Sequence, residues 1–175
     1  MKLLIVVDML KDFINPNGAL FCGPAGEAII PFVVDEVSEH RANGDPIIFL
    51  ADNHDENDKE FDRFPKHCVA GTEGAELISV LNFSDEDGGK FIMRKTRYSG
   101  FYNTELDFHL KRLNPEAVTV VGVCTSICVM DTVAGLANRD QANIIVPKKC
   151  VADFDQEMHT MALKRMEALY GANVI

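Results

Sequence analysis

Apolar residues recur along the chain with two different periods. Six short runs, Leu3–Val7, Pro46–Leu50, Phe91–Met93, Val118–Val123, Asn143–Val146 and Asn173–Ile175, are mostly β-branched and apolar at successive positions. A strand buried on both faces, as in a parallel sheet covered by helices, has this pattern. Between the runs the spacing becomes helical. Ile30, Val33, Val34 and Val37 share one stripe, with Pro31 suited to a first turn and Gly44 just beyond the end. Thr104 can cap a helix carrying Leu106, Leu110 and Leu113. A last stripe of Met158, Met161, Ala162, Met166 and Leu169 is stopped by Gly171. The chain has no internal repeat, low-complexity tract or long linker. The pattern predicts a single α/β domain over residues 1–175. Its architecture is a three-layer sandwich, with a mostly parallel central sheet of about six strands and helices on both faces.

Composition narrows the classes of partner. The 175 residues are 47% hydrophobic and 25% charged, the profile of a globular domain. Lys and Arg number 17 against 27 Asp and Glu, a formal net charge of −10. That balance argues against nucleic acid or an anionic membrane surface, because phosphate binding needs a basic face. No apolar run approaches the roughly 18 residues that span a bilayer. The stretch Met1–Asp8 is too short for a secretory leader, and five cysteines, an odd number, read as reduced thiols in the cytoplasm.

The chemistry-bearing residues stand at strand ends, where open α/β sheets bind their ligands. Asp8 closes the first predicted strand, Asp52 the second and Lys95 the third, while Cys124 and Cys128 follow the fourth. The segment from Val118 to Cys128 reads as strand, tight turn, then helix. A Cys at a helix N-terminus has its thiolate favoured by exposed N–H groups and the dipole, so Cys128 is the candidate nucleophile with a lowered pKa. Backbone N–H groups of the same turn suit an oxyanion hole. No His stands where it could serve as base. Asp8 suits that role if burial raises its pKa, with Lys95 holding the carboxylate and the developing negative charge. Cys124, Cys22, Cys68 and Cys150 lack this context and read as structural residues.

A second constellation runs from Asp52 and His54 through Glu60 to His67. Residues i and i+2 of an extended segment point the same way, which brings Asp52 and His54 together. Two imidazoles with two carboxylates suit a divalent Zn, Fe or Mn ion. A solvated acidic loop with surface histidines accounts equally for much of the same composition.

Three motifs carry a family resemblance. Asp8 in Val-Val-Asp-Met-Leu-Lys-Asp-Phe, Lys95 in Lys-Thr-Arg-Tyr-Ser-Gly-Phe, and Cys128 in Gly-Val-Cys-Thr-Ser-Ile-Cys-Val resemble the catalytic triad of the isochorismatase-like cysteine hydrolases. Asp52-Asn53-His54 and the run from Phe64 to Thr72 resemble the metal motif of the nicotinamidase (pyrazinamidase) subfamily. The resemblance covers Leu3 to about Ile175. It implies hydrolysis of nicotinamide to nicotinate and ammonia through a thioester on Cys128, within NAD salvage. It also implies an oxyanion hole from the N–H groups of Cys124 and Cys128, and a cis peptide at Val123–Cys124. One divalent metal, zinc by preference and iron or manganese otherwise, would be held by Asp52, His54, Glu60 and His67. Phe13, Phe64, Tyr98 and Tyr102 match positions lining the substrate pocket, and relatives commonly form homo-oligomers. Ser126 stands where many relatives carry an acid. Two other readings remain open: a related hydrolase acting on an N-carbamoyl or ureidoacrylate substrate, and a non-catalytic binding module.

Overall fold

Alternation along the central strand sets the layers. In the computed structural model, which describes residues 1–83, 90–141 and 143–175, β1 (Lys2–Val7) sends Leu4 and Val6 to one face and Leu3, Ile5 and Val7 to the other. The neighbouring β2 (Ile47–Asp52) and β4 (Ala117–Val123) divide in the same way. Ile47, Phe49, Val121 and Val123 join the first face, whereas Ile48, Leu50, Val118 and Val120 join the second. Both faces are therefore apolar, and both are covered. Helices α1 (Lys11–Ile14), α2 (Pro24–Ala28) and α3 (Ile30–Ala42) lie on the first face, which buries Phe13, Val33 and Val37. The second face carries α4 (Leu106–Leu113), α5 (Met130–Ala137) and α6 (Gln156–Tyr170), burying Leu106, Leu110, Val133, Leu136 and Met166. Each large aliphatic side chain buried this way contributes about 1.5–3 kcal/mol.

Among the described residues the sheet has seven strands. β3 (Lys90–Lys95), β2, β1, β4, β5 (Ile144–Val146) and β7 (Asn173–Val174) lie in that order, and β6 (Val151–Ala152) extends the pairing of β4 beyond β5. Every strand pairing is parallel. Two expectations are corrected. The run Phe91–Met93 is not buried on both faces: β3 is the edge strand, leaving Phe91 and Ile92 exposed. On α6 the inward seam is Ala162, Leu163, Met166 and Tyr170, while Met158, Met161 and Leu169 face outward. That seam includes Tyr170, which packs inward in spite of its hydroxyl. The end signals of α6 do hold, with Asp155 accepting from the Glu157 and Met158 N–H groups and Gly171 left-handed at φ 66°. No described helix is long and apolar enough to cross a membrane.

One backbone contact sets the active end of the sheet. Gly122 pairs with Val7 and has φ 113°; a Cβ there would lie 2.0 Å from the Val7 carbonyl oxygen. Only glycine lets β4 lie this close to β1 just before the two strands deliver Asp8 and Cys124. Gly122→Ala is expected to destabilise the fold by about 3 kcal/mol or more, read as a lowered urea midpoint at unchanged slope. A shift within about 0.5 kcal/mol would contradict the contact.

Candidate active site

Four strand ends converge as the sequence predicts. Asp8 follows β1 in a left-handed conformation, φ 52°, which a short polar side chain tolerates. Its N–H donates to the Leu50 carbonyl at 2.9 Å, so the turn out of the strand remains tied to β2. Asp52 and Lys95 are register partners at the ends of β2 and β3. Lys95 Nζ reaches Asp52 Oδ1 at 2.6 Å, Asp8 Oδ2 at 2.7 Å and Cys128 Sγ at 3.6 Å. The Asp52 N–H donates to Asp8 Oδ1 at 3.0 Å. All four side chains are buried.

The charges in this cluster decide its protonation. Burial works against the Lys95 ammonium, but the Asp52 and Asp8 carboxylates outweigh it and hold the group well above its ordinary range. Burial and the neighbouring Asp52 charge push Asp8 up to about 6, against the pull of Lys95. Asp52 goes the other way: Lys95 and His54 overcome its burial and hold it below the usual carboxylate range. For Cys128 the expected lowering is reversed. Burial raises the thiol well above its usual value, and the Asp8 and Asp52 charges add to this against the pull of Lys95. Exposed N–H groups at the helix N-terminus do not offset burial and the two carboxylates that face the Cys128 sulfur. The thiol therefore rests protonated within 4.8 Å of a carboxylate able to receive the proton.

The turn that carries Cys128 differs from a simple strand-to-helix junction. β4 ends in a cis Val123–Cys124 peptide, and a π-helical turn, Thr125–Val129, precedes α5. The Cys124 carbonyl accepts from both the Ile127 and Val129 N–H groups, at 3.1 and 3.2 Å. Buried Asp153, which sequence reasoning passed over, accepts from the Ser126 N–H at 2.7 Å and anchors the turn from beyond β6. His159 Nδ1 meets Thr125 Oγ1 at 2.9 Å from α6. Asp153 follows a two-residue strand that has no legible period.

Beside the triad lies the second constellation. Asp52, His54 and His67 bring ligand atoms within 4.8 Å of one another, all buried, and Glu60 Oε1 lies 3.9 Å from His67 Nε2. Each imidazole is oriented by its far nitrogen. His54 Nδ1 is 3.1 Å from Asp58 Oδ2, and His67 Nδ1 is 2.7 Å from the Pro65 carbonyl. Both Nε2 atoms are thereby turned toward the cluster. Asp58 is fixed in turn by Arg97 Nη1 at 2.9 and 3.0 Å. The buried His54 Nε2 and Glu60 Oε2 have no hydrogen-bond partner among the described residues. Two oriented imidazoles, two carboxylates and two orphaned buried atoms fit a divalent metal. The neighbouring trio of Asp8, Asp52 and Cys128 does not, because the Lys95 ammonium already sits among those three groups.

Both constellations open into one crevice, lined by Asp8, Phe13, Phe64, His67, Tyr98 and Cys128 among others. Phe13 and Phe64 flank His67, with ring centroids 5.4 and 6.4 Å from it. Tyr102 does not line the crevice; it stands on a surface turn, 56% exposed. Leu20, Ile127 and Phe154 line it unexpectedly, because irregular segments hide them from any periodic reading.

A parallel sheet with a buried Asp–Lys–Cys cluster at its carboxyl edge defines a class of hydrolase. The chain belongs to the isochorismatase family, and the isochorismatase domain model matches residues 2–175. Within that family it groups with the nicotinamidase-like members. It is 36% identical to the isochorismatase family protein PncA of Bacillus subtilis (strain 168), over 99% of this chain and 98% of that one. The pyrazinamidase/nicotinamidase of Streptococcus mutans UA159 superposes with a TM-score of 0.93 at 34% identity, covering 100% of both chains. The pyrazinamidase of Pyrococcus horikoshii, solved in complex with zinc, gives 0.89 at 30% identity over 99% of this chain and 98% of that one.

Lys95→Met would leave two buried carboxylates without their shared cation. A stability loss of about 3–5 kcal/mol at neutral pH is expected in urea unfolding. A loss below about 1 kcal/mol would show the ammonium to be dispensable for folding.

Proposed function

We propose that this protein is a metal-containing cysteine amidohydrolase that converts nicotinamide to nicotinate and ammonia. The observation that carries this reading is the sharing of one crevice by a thiol–carboxylate–ammonium cluster and an oriented His/carboxylate set, joined through Asp52. The Phe13 and Phe64 rings that line the same crevice suit a flat amide-bearing ring. A divalent ion held by Asp52, His54, His67 and Glu60 would supply a Lewis-acid contact for the ring nitrogen and so fix the ring's orientation.

The chain's own residues carry the proton and electron movements. Asp8 accepts the Cys128 thiol proton as the sulfur attacks the carboxamide carbon. Because Asp8 is a weaker acid than an ordinary carboxyl and the thiol is held protonated, the proton moves as the S–C bond forms. N–H groups of Cys124 and Cys128 hold the oxyanion, and Lys95 keeps Asp8 aimed at the sulfur. Asp8 returns the proton to the leaving nitrogen, and ammonia departs from the thioester. Water enters, gives a proton to Asp8 and attacks the thioester carbon. Nicotinate leaves as the sulfur recovers its proton. The product is a pyridine carboxylate suited to NAD salvage.

Ammonia release from nicotinamide, measured with metal content on the same sample, tests the reading. Turnover is expected in the wild type, its loss in Cys128→Ala with the fold intact, and a decrease of about 10²–10⁴-fold in Asp8→Asn. Turnover of ureides but not nicotinamide would move the chain to the other branch of its family. Appreciable activity in Cys128→Ala would remove the covalent route.

The metal set generates a separate expectation. Asp58→Ala removes the carboxylate that orients His54 and should weaken divalent-metal affinity by about 10–100-fold in chelator competition. Unchanged affinity would show that the His54 orientation does not depend on Asp58.

A further inference from the structure

We propose that Cys22 and Cys124 form a redox couple, and that a hydroperoxide-class oxidant closes it into a disulfide that disables the catalytic crevice. All five cysteines are free thiols, but these two meet: their Sγ atoms are 3.3 Å apart across 102 residues of sequence. A disulfide needs about 2.05 Å, so the sulfurs must approach by only about 1.2 Å. Cys124 is partly exposed and lines the crevice, whereas Cys22 is buried behind it. An oxidant entering by the substrate's route therefore reaches Cys124 before Cys22 and finds a resolving thiol in contact with it.

The chemistry balances in two steps. The Cys124 sulfur attacks the hydroperoxide, the O–O bond breaks, and the thiol proton leaves with the departing oxygen as an alcohol, or as water if the oxidant is hydrogen peroxide. Cys124 becomes a sulfenic acid. The Cys22 sulfur then displaces hydroxide from it, which departs as water with the Cys22 proton, and the S–S bond forms. Two thiols have lost two electrons and the peroxide has gained them. The contact with Cys22, together with burial, raises the Cys124 thiol well above its usual range, so its proton must leave as the sulfur attacks the peroxide.

Closure acts on the groups that hold the nucleophile. Cys124 follows the cis peptide, and its carbonyl accepts from Ile127 and Val129, on either side of Cys128. The Cys22 N–H donates to the Phe13 carbonyl at 2.8 Å, and Phe13 is a crevice wall. A covalent bond here would draw the nucleophile turn toward the segment that carries that wall. Displacements of about 1 Å at a reacting group cost on the order of 10²-fold in rate.

The test treats metal-loaded protein with hydrogen peroxide, blocks remaining thiols with N-ethylmaleimide and maps peptides without reduction. Expected are a Cys22–Cys124 linked peptide, a loss of activity of about tenfold or more, and recovery with dithiothreitol. Cys22→Ser should form no link and keep its activity through the dose that silences the wild type. Absence of the linked peptide, a link without loss of activity, or equal inactivation of Cys22→Ser would each overturn the proposal. Only the activity arm rests on the amidohydrolase reading. If no amide is turned over, that reading fails by itself, and the rate of Cys128 alkylation by iodoacetamide replaces activity. It should fall about tenfold on closure, and an unchanged rate overturns the couple's effect on the crevice.

Discussion

The buried ammonium of Lys95 is the constraint around which the rest is arranged. It stands within 2.6–3.6 Å of three groups that arrive from the ends of β1 and β2 and from the turn after β4. Two carboxylates this close would repel each other in an apolar core without a shared cation. The cation in turn would be costly to bury without them. The cluster therefore ties separate chain segments together and separates two chemically identical side chains by function. Asp52, held ionised, faces the histidines, and Asp8, raised toward neutrality, faces the sulfur.

Most of this was legible from the residues. Parallel strands buried on both faces leave a strong signature, and strand-end placement brought Asp8, Asp52, Lys95 and Cys128 to one edge before any contact was visible. What escaped were properties of three-dimensional surroundings. The thiol's protonation depends on carboxylates 76 or more positions away in sequence, so a local dipole argument gave the wrong direction. Asp153 and Phe154 follow a two-residue strand, too short for any period. Tyr102 sits four residues from Tyr98 but on the far side of a turn, where motif proximity overstated its reach.

The acidic loop shows how composition and geometry divide the same residues. Of its acids, Glu60 turns inward beside His67, whereas Asp58 is taken by Arg97 and His54. Asp55, Glu56 and Asp62 remain exposed, as the solvated-loop reading would have them all. A stretch that looks uniform in sequence thus contains ligand-type, orienting and solvent-facing carboxylates, and only the backbone path after β2 distinguishes them.

The strand order also governs when the molecule can assemble. β1 comes from the first residues, yet its two sheet neighbours are β2 and β4, the latter ending at Val123. A ribosome adding about 5–20 residues per second needs on the order of ten seconds between completing β1 and releasing its second partner. During that interval the apolar run Leu3–Val7 has an unfilled edge. A chain in that state exposes the kind of apolar surface and unpaired strand edge that chaperones bind.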